Sequence, residues 1–244
     1  MEQVLEEKLH IAQDGDAVAR EQVLDAGKPF VLHVASTFCK RKLEWGRDDE
    51  LSVSLIAFDE AINRYSKEKQ IPFMAYARLV IKSRLKDLFR KEAKHKTVSL
   101  EQNAYPESEK LHSPAEANQA WENHLNEIAA RERQEEISEF GKLLKQYGLS
   151  YEELVSAAPK HSDTRETLIY SAWQLANDLQ LMNQLLSKKR MPISELSLLT
   201  GLKRKNLERG RRYIVAMALL FYYRQNYIYI YSYLKLTNWG KGAS

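Results

Sequence analysis

The sequence predicts an all-α protein: two helical domains joined by a polar linker. Three observations carry this. Gly and Pro are scarce, 9 and 6 in 244 residues, so few tight turns can be built and helices are favoured over many short strands. Apolar residues recur at helical spacing over most of the chain. A polar stretch from Thr97 to about Asn118, holding Pro106 and Pro114, has no clear period and separates the helical patterns. The expected layout is a first domain at 1–98, an acidic linker at 99–120 and a second domain at 121–244.

Met1 to about Val98 reads as successive helices. Asp14 and Asp16 flank Gly15 and mark a short turn. "KPFVLHVASTFCKR" puts Phe30, Val31, Val34 and Phe38 on one helical face. Trp45 and Gly46 fall in a loop. "LSVSLIAFDEAI" repeats the pattern with Leu51, Leu55, Phe58 and Ile62. Helices resume at Trp121, and Pro159 and Pro192 mark breaks or helix starts. In the tail, Tyr227, Tyr229, Tyr231 and Tyr233 alternate with Ile228 and Ile230, a strand-like period. A lone strand in a helical chain would have no partner, so helix is expected, with these rings packed in the core rather than stacked on bases.

Hydrophobic residues make up 44% and charged residues 29%, enough for both a packed core and a polar surface. The single Cys39 excludes an internal disulfide and a cysteine-based zinc site within one chain. The six His are scattered with no pair at ligand spacing, and no Gly-rich phosphate loop or nucleophile elbow occurs. "DDE" at Asp48 to Glu50 reads as an acidic helix start rather than a metal site. No enzyme activity, cofactor or metal is expected. The acidic N-terminus lacks a signal-peptide pattern. The longest apolar run, Tyr213 to Tyr223, is shorter than the ~20 residues of a membrane span. A cytoplasmic protein is expected.

The net charge of +4 conceals a pattern. Asn63 to Val98 holds eleven Lys/Arg against three Asp/Glu, net +8; Glu101 to Glu139 holds three against ten, net −7; Lys188 to Arg224 holds ten against two, net +8. Two basic segments around an acidic one point to two polyanion-facing surfaces. In the first, Phe73, Tyr76, Ala77, Val80, Ile81, Leu85, Leu88 and Phe89 share one side of a helix. Arg78, Lys82, Lys86 and Arg90 recur every four residues on the other side. Like charges at that spacing repel by ~0.2–0.5 kcal/mol per pair, which phosphate contacts would relieve. Tyr65, Phe73 and Tyr76 sit among Arg64, Lys67 and Lys69, the mixture of rings and cations that suits unpaired bases. Core packing is the competing expectation for each ring.

"PISELSLLTGLKRKNLERGRRYIVAMALL" has the spacing of a helix-turn-helix. Pro192 can start a helix carrying Ile193, Leu196 and Leu199, with Ser197 small at the crossing. Gly201 supplies a left-handed turn residue. Leu202 and Leu207 anchor a second helix whose outer residues include Lys203, Arg204, Lys205, Asn206, Glu208, Arg209 and Arg212. Arg and Lys suit guanine edges and phosphates, and Asn suits adenine.

The stretch from Ile11 to Glu92, above all "LIAFDEAINRYSKEKQIPFMAYA", resembles the second conserved region of bacterial RNA polymerase sigma factors. The helix-turn-helix stands where that family has its fourth region, and in detail the chain resembles the sigma-I group of alternative sigma factors. The resemblance implies that Asp49, Ser52, Leu55 and Asp59 dock on core polymerase. It implies that Tyr65, Lys69, Phe73, Tyr76, Arg78 and Lys82 serve the minus-ten element and strand opening. Lys203, Arg204, Lys205, Asn206, Arg209 and Arg212 would read the minus-thirty-five element. It further implies a membrane-bound anti-sigma partner acting through its cytoplasmic domain, a role in stress responses, and no required homo-oligomer. Three departures stand out. Leu79 and Val80 replace the tryptophan pair of primary sigma factors, no third region is apparent between Thr97 and Trp121, and 32 residues follow Arg212. The alternative is a self-sufficient helix-turn-helix repressor, which would leave the first 98 residues without a role.

Overall fold

The structure is a computed structural model that describes residues 2–66, 71–98 and 114–236, with side chains outside 2–7, 94–98 and 114–122. Among the described residues there are eleven helices and no strand. The chain divides into two compact units, Met1–Glu132 and Arg133–Ser244, and the division falls inside one long helix, α5 (Pro114–Lys145). Residues 114–120, within the stretch expected as linker, are helical. Proline suits the first helical position, where its missing N–H costs nothing. Residues 99–113 lie outside the described residues.

In the first unit α1 (Glu2–Gln13) ends at a turn, and the Asp16 carboxylate accepts from the Ala19 N–H at 2.7 Å to start α2 (Ala17–Cys39). α2 continues through Pro29 and buries Val23, Phe30, Val31 and Val34. α3 (Asp49–Arg64) buries Leu51, Ser54, Ala57, Phe58, Ala61 and Ile62. Phe58 is the pivot: it is fully buried, with its ring centroid 5.5 Å from Phe73 and 6.3 Å from Phe30. It fits because α2 offers Gly27 there, where a Cβ would lie 2.5 Å from the Phe58 ring. α4 (Phe73–Val98) follows. Every residue of α4 from Ala75 to Ile81 is buried, so the helix enters the core on all sides rather than along one stripe.

The second unit takes Arg133 to Lys145 of α5, then α6 (Tyr151–Ala157), α7 (Ser162–Asn177), α8 (Leu179–Lys188), α9 (Ile193–Thr200), α10 (Arg204–Tyr222) and α11 (Ile228–Tyr233). Ser150 and Glu153 form a reciprocal cap at the start of α6, and Asp178 caps α8. α10 is the axis of this unit, with every residue from Ile214 to Phe221 buried. The Tyr-rich tail is helical. Tyr227, Tyr229 and Tyr231 are buried, with Tyr227 edge-on to Phe140 at 5.1 Å and Tyr231 edge-on to Phe221 at 5.9 Å. Tyr233 is exposed. The buried Glu136 carboxylate accepts from the N–H groups of Ile228, Tyr229 and Ile230 at 3.2, 2.8 and 3.4 Å, fixing the start of α11. Burial, and then Glu139 nearby, push the Tyr227 phenol up to about 12.

Candidate nucleic-acid interface

The cation stripe expected on α4 divides in the structure. Arg78 does not face outward. It is 7% exposed, and its Nε and guanidinium NH2 lie 3.1 and 3.0 Å from Glu132 Oε2. Lys82 Nζ holds the other oxygen of Glu132 at 2.6 Å. The alternation read from the sequence misses this because α5 brings a carboxylate onto the side that the helical wheel left polar. Arg84 makes a bidentate pair with Glu60 of α3, at 2.8 and 2.6 Å. The Arg84 hydrogen bonds hold the Glu60 carboxyl below the usual range, against an opposing effect of burial. Arg90 lies 3.6 Å from Asp87. Lys86 and Lys91 are exposed, and neither has an ion pair among the described residues.

The aromatic residues at the head of α4 are core residues. Phe73 and Tyr76 are each 2% exposed, so neither ring is open to a base in this conformation. Half-buried Tyr65 packs edge-on to Phe73 at 5.3 Å and donates its hydroxyl to the Ile71 carbonyl at 3.0 Å. Leu79 and Val80, at the place of the tryptophan pair, are buried too. Lys69 lies outside the described residues.

α3 presents one open face. Asp49 and Ser52 are exposed, Leu55 and Asp59 are half-buried, and Ile56 is 69% exposed. Asp59 is not a free carboxylate: Arg20 of α2 clasps both its oxygens at 2.7 and 2.9 Å and reaches Asn63 at 3.0 Å. Ile56 was missed in the sequence, although it sits four residues after Ser52 on the same face.

In the second unit α9 and α10 are joined by Gly201, Leu202 and Lys203. Gly201 has φ 71°, a left-handed conformation that glycine adopts without strain. The Ser197 hydroxyl donates to the Leu202 carbonyl at 2.6 Å, closing the turn. Leu196 and Leu207 are fully buried, as the spacing requires. Leu199, expected on the inner face, is 44% exposed, and Leu198 beside it 86%. α9 is short and only Leu196 is wholly enclosed. Lys203, Arg204, Lys205, Asn206, Arg209 and Arg212 are all exposed. Arg204 bonds to the Ser194 hydroxyl, and Arg212 lies 3.6 Å from Glu153. Lys203, Lys205 and Arg209 have no carboxylate within ion-pair distance among the described residues. Cationic donors are therefore in excess at the start of α10, and of these six residues only Arg212 has a carboxylate within ion-pair distance among the described residues.

The residues that sequence reasoning missed are mainly carboxylates. Glu132 and Glu60 decide which cations are neutralised, and nothing in local spacing pairs them with positions 24 to 54 residues away. Among the described residues no group of three His, Cys, Asp or Glu is placed to hold a metal ion, and no helix is long and apolar enough to cross a membrane.

No family model matches the chain. Curated relatives do. The chain is 37% identical over 234 residues to RNA polymerase sigma factor SigI of Bacillus subtilis (strain 168), covering 96% of this chain and 92% of that protein. It is 36% identical over 208 residues to RNA polymerase sigma factor SigI of Bacillus anthracis, covering 85% of this chain and 83% of that one. It is 34% identical over 220 residues to RNA polymerase sigma factor SigI6 of Acetivibrio thermocellus, covering 89% and 84%.

Proposed function

The chain belongs to the RNA polymerase sigma factor SigI family, whose members serve transcription initiation and are not enzymes, and we propose the division of labour by which this one works. It binds core polymerase through the open face of α3, recognises promoter DNA with both units and promotes strand opening. α9 and α10 act as a helix-turn-helix on the minus-thirty-five element. The single observation behind this reading is the bare cationic start of α10, where Lys203, Lys205 and Arg209 are exposed without internal carboxylate partners. Arg204, Asn206 and Arg209 read base edges, because the first turns of the second helix enter the groove in this motif. Lys203, Lys205 and Arg212 contact phosphates.

On α3 the contacts to polymerase are Asp49, Ser52 and Leu55, with Ile56 as the exposed apolar element; Asp59 contributes through its pair with Arg20. At the minus-ten element, Tyr65 and Lys82 are the assigned residues with a surface to offer. Phe73, Tyr76 and Arg78 hold the framework behind them, and Lys69 stands on the family resemblance alone. The family also motivates a cytoplasmic location and a membrane-bound anti-sigma partner whose cytoplasmic domain occludes the factor.

The test is a gel shift on a promoter fragment with and without core polymerase. A sigma factor binds poorly alone and well with polymerase. Tight binding alone, unchanged by polymerase, would establish the repressor reading instead. Asp49→Lys should lower recovery of core polymerase in a pull-down, without loss of helicity by circular dichroism.

A further inference from the structure

A second cationic feature of the second unit lies apart from the start of α10. A cavity of about 560 Å³ opens where the turn after α5, the turn between α8 and α9, and the middle of α10 meet. Lys189, Arg190, Arg211 and Arg212 line it, with Tyr147 and Leu149. Lys189 is held in place: its ammonium lies 4.6 Å over the Tyr147 ring and 3.2 Å from the Tyr147 hydroxyl. Its own backbone takes a left-handed conformation, φ 55°, which is uncommon outside glycine.

The four charges are barely offset. Among the described residues only Arg212 has a carboxylate near it, Glu153 at 3.6 Å. All four are exposed, and like charges gathered around one cavity repel one another. An anion that enters removes that repulsion and gains charge-assisted hydrogen bonds, bidentate where guanidinium meets phosphate. The cavity also lies within the ~300–1,000 Å³ range of small-molecule sites, and Leu149, Met191, Ile193 and Val215 give it apolar lining. A recess lined by both cations and apolar side chains suits a small molecule that has both phosphates and a ring.

We propose that this cavity binds a nucleoside polyphosphate, its phosphates held by Arg190, Arg211 and Lys189. The site goes beyond the promoter-reading role and does not depend on it. Arg190 and Arg211 are not among the residues assigned to the minus-thirty-five element, whereas Arg212 lines the cavity and is assigned to that element too.

The full chain is titrated calorimetrically with GTP, ATP and pyrophosphate at ~0.15 M salt, where weak surface attraction is screened. At least one nucleotide should bind saturably with one site per chain, and pyrophosphate should compete with it. Arg190→Ala with Arg211→Ala should weaken binding about tenfold or more, as loss of charge-assisted hydrogen bonds requires. Lys205→Ala with Arg209→Ala should leave it unchanged. Circular dichroism checks that both variants keep their helices, and Arg211→Glu gives an independent variant of the same site. No saturable nucleotide binding, or equal weakening in both double variants, overturns the proposal. So does displacement of nucleotide by a promoterless duplex together with equal losses of duplex and nucleotide binding in the Arg190/Arg211 variant; that result makes a DNA phosphate the occupant.

Discussion

α4 and α10 are both rich in Lys and Arg, but their charges end in different states. On α4, Arg78 and Lys82 share Glu132, and Arg84 is clasped by Glu60. At the start of α10, Lys203, Lys205 and Arg209 meet no carboxylate among the described residues. The acidic segment that follows α4 in sequence explains part of this. Glu132 belongs to it, and its carboxylate is used inside the first unit rather than left to solvent. The net charge of a segment therefore does not identify a polyanion-facing helix. The distinguishing property is whether the rest of the chain supplies the countercharge. By that measure α10 is the stronger candidate for DNA; on α4, Lys86 and Lys91 are exposed without an ion pair among the described residues, and Lys82 stays partly exposed beside Glu132.

The largest effect is expected where the charges are buried. Glu132 and Arg78 are 10% and 9% exposed at their side chains. Removing one partner of such a pair leaves the other's charge poorly solvated, at a cost of about 3–5 kcal/mol. Glu132→Ala should lower the urea midpoint accordingly. Glu208→Ala on α10 should change stability by no more than ~0.5 kcal/mol, as exposed sites do. If both variants unfold at the wild-type midpoint, the pairing on α4 is a surface contact and the contrast between the helices disappears.

Next come the bare cations. Arg209→Ala should leave stability unchanged and cost ~1–3 kcal/mol of promoter affinity in the polymerase complex, with relaxed preference at one base pair. Lys205→Ala should weaken all sequences alike and reduce the salt slope by ~1. A library of minus-thirty-five variants, read at two salt concentrations, separates the two kinds of contact. Unchanged base preference for Arg204→Ala, Asn206→Ala and Arg209→Ala alike would remove α10 as the reading helix.

These contrasts also show where the sequence was informative. The helical class, the turn at Gly201, and Leu196 and Leu207 as anchors were legible, because period and turn chemistry are local properties. The helix of the tail was legible by a different route: the Tyr/Ile alternation favours a strand, and the absence of any partner strand overrides it. What could not be read was long-range. Tyr76 has the same local setting whether it stacks on a base or fills the core; only its packing against Tyr65 and the elements around it decides. Arg78 looks outward on a helical wheel until α5 brings Glu132 to it. The start of α5 at Pro114 was hidden by a polar composition with no apolar stripe. Among the described side chains of its first half the buried apolar ones are Leu125 and Ala129, too few to print a period.

A smaller effect is expected at the Glu60–Arg84 pair. Its geometry is bidentate, but Arg84 is 41% exposed, so water screens the attraction and the contribution is at most about 1 kcal/mol. The sign in pH follows from the direction of the shift. Glu60 is held below its usual value, so its contribution is present above the unfolded value of about 4.3 and is lost as the pH falls through the folded one. Glu60→Gln should therefore lower stability at neutral pH by at most that small amount, and the difference from wild type should vanish as the pH falls through the folded value, which flattens the acid side of the curve. A loss at neutral pH as large as that of Glu132→Ala would place this pair among the buried ones.

The smallest expected effect is the most direct probe of whether Glu132 neutralises Arg78. His33 on α2 is held below its ordinary value by burial, and then by the positive charge of Arg78. A depressed histidine contributes stability that is complete above the unfolded value of about 6.5 and is lost as the pH falls from there through the folded value. Thermal midpoints should therefore decline below neutrality, and His33→Leu should make that decline shallower. The ring itself can be followed by NMR during an acid titration. In wild type, Glu132 partly cancels the field of Arg78. Glu132→Gln removes the carboxylate and keeps the shape, so that part of the cancellation is lost and the ring should titrate at still lower pH. Lys86→Gln, on the outer side of the same helix, should leave the titration where it was. If Glu132→Gln leaves His33 unmoved, the field of Arg78 at His33 is not set by Glu132, and the contrast between the two helices loses that support.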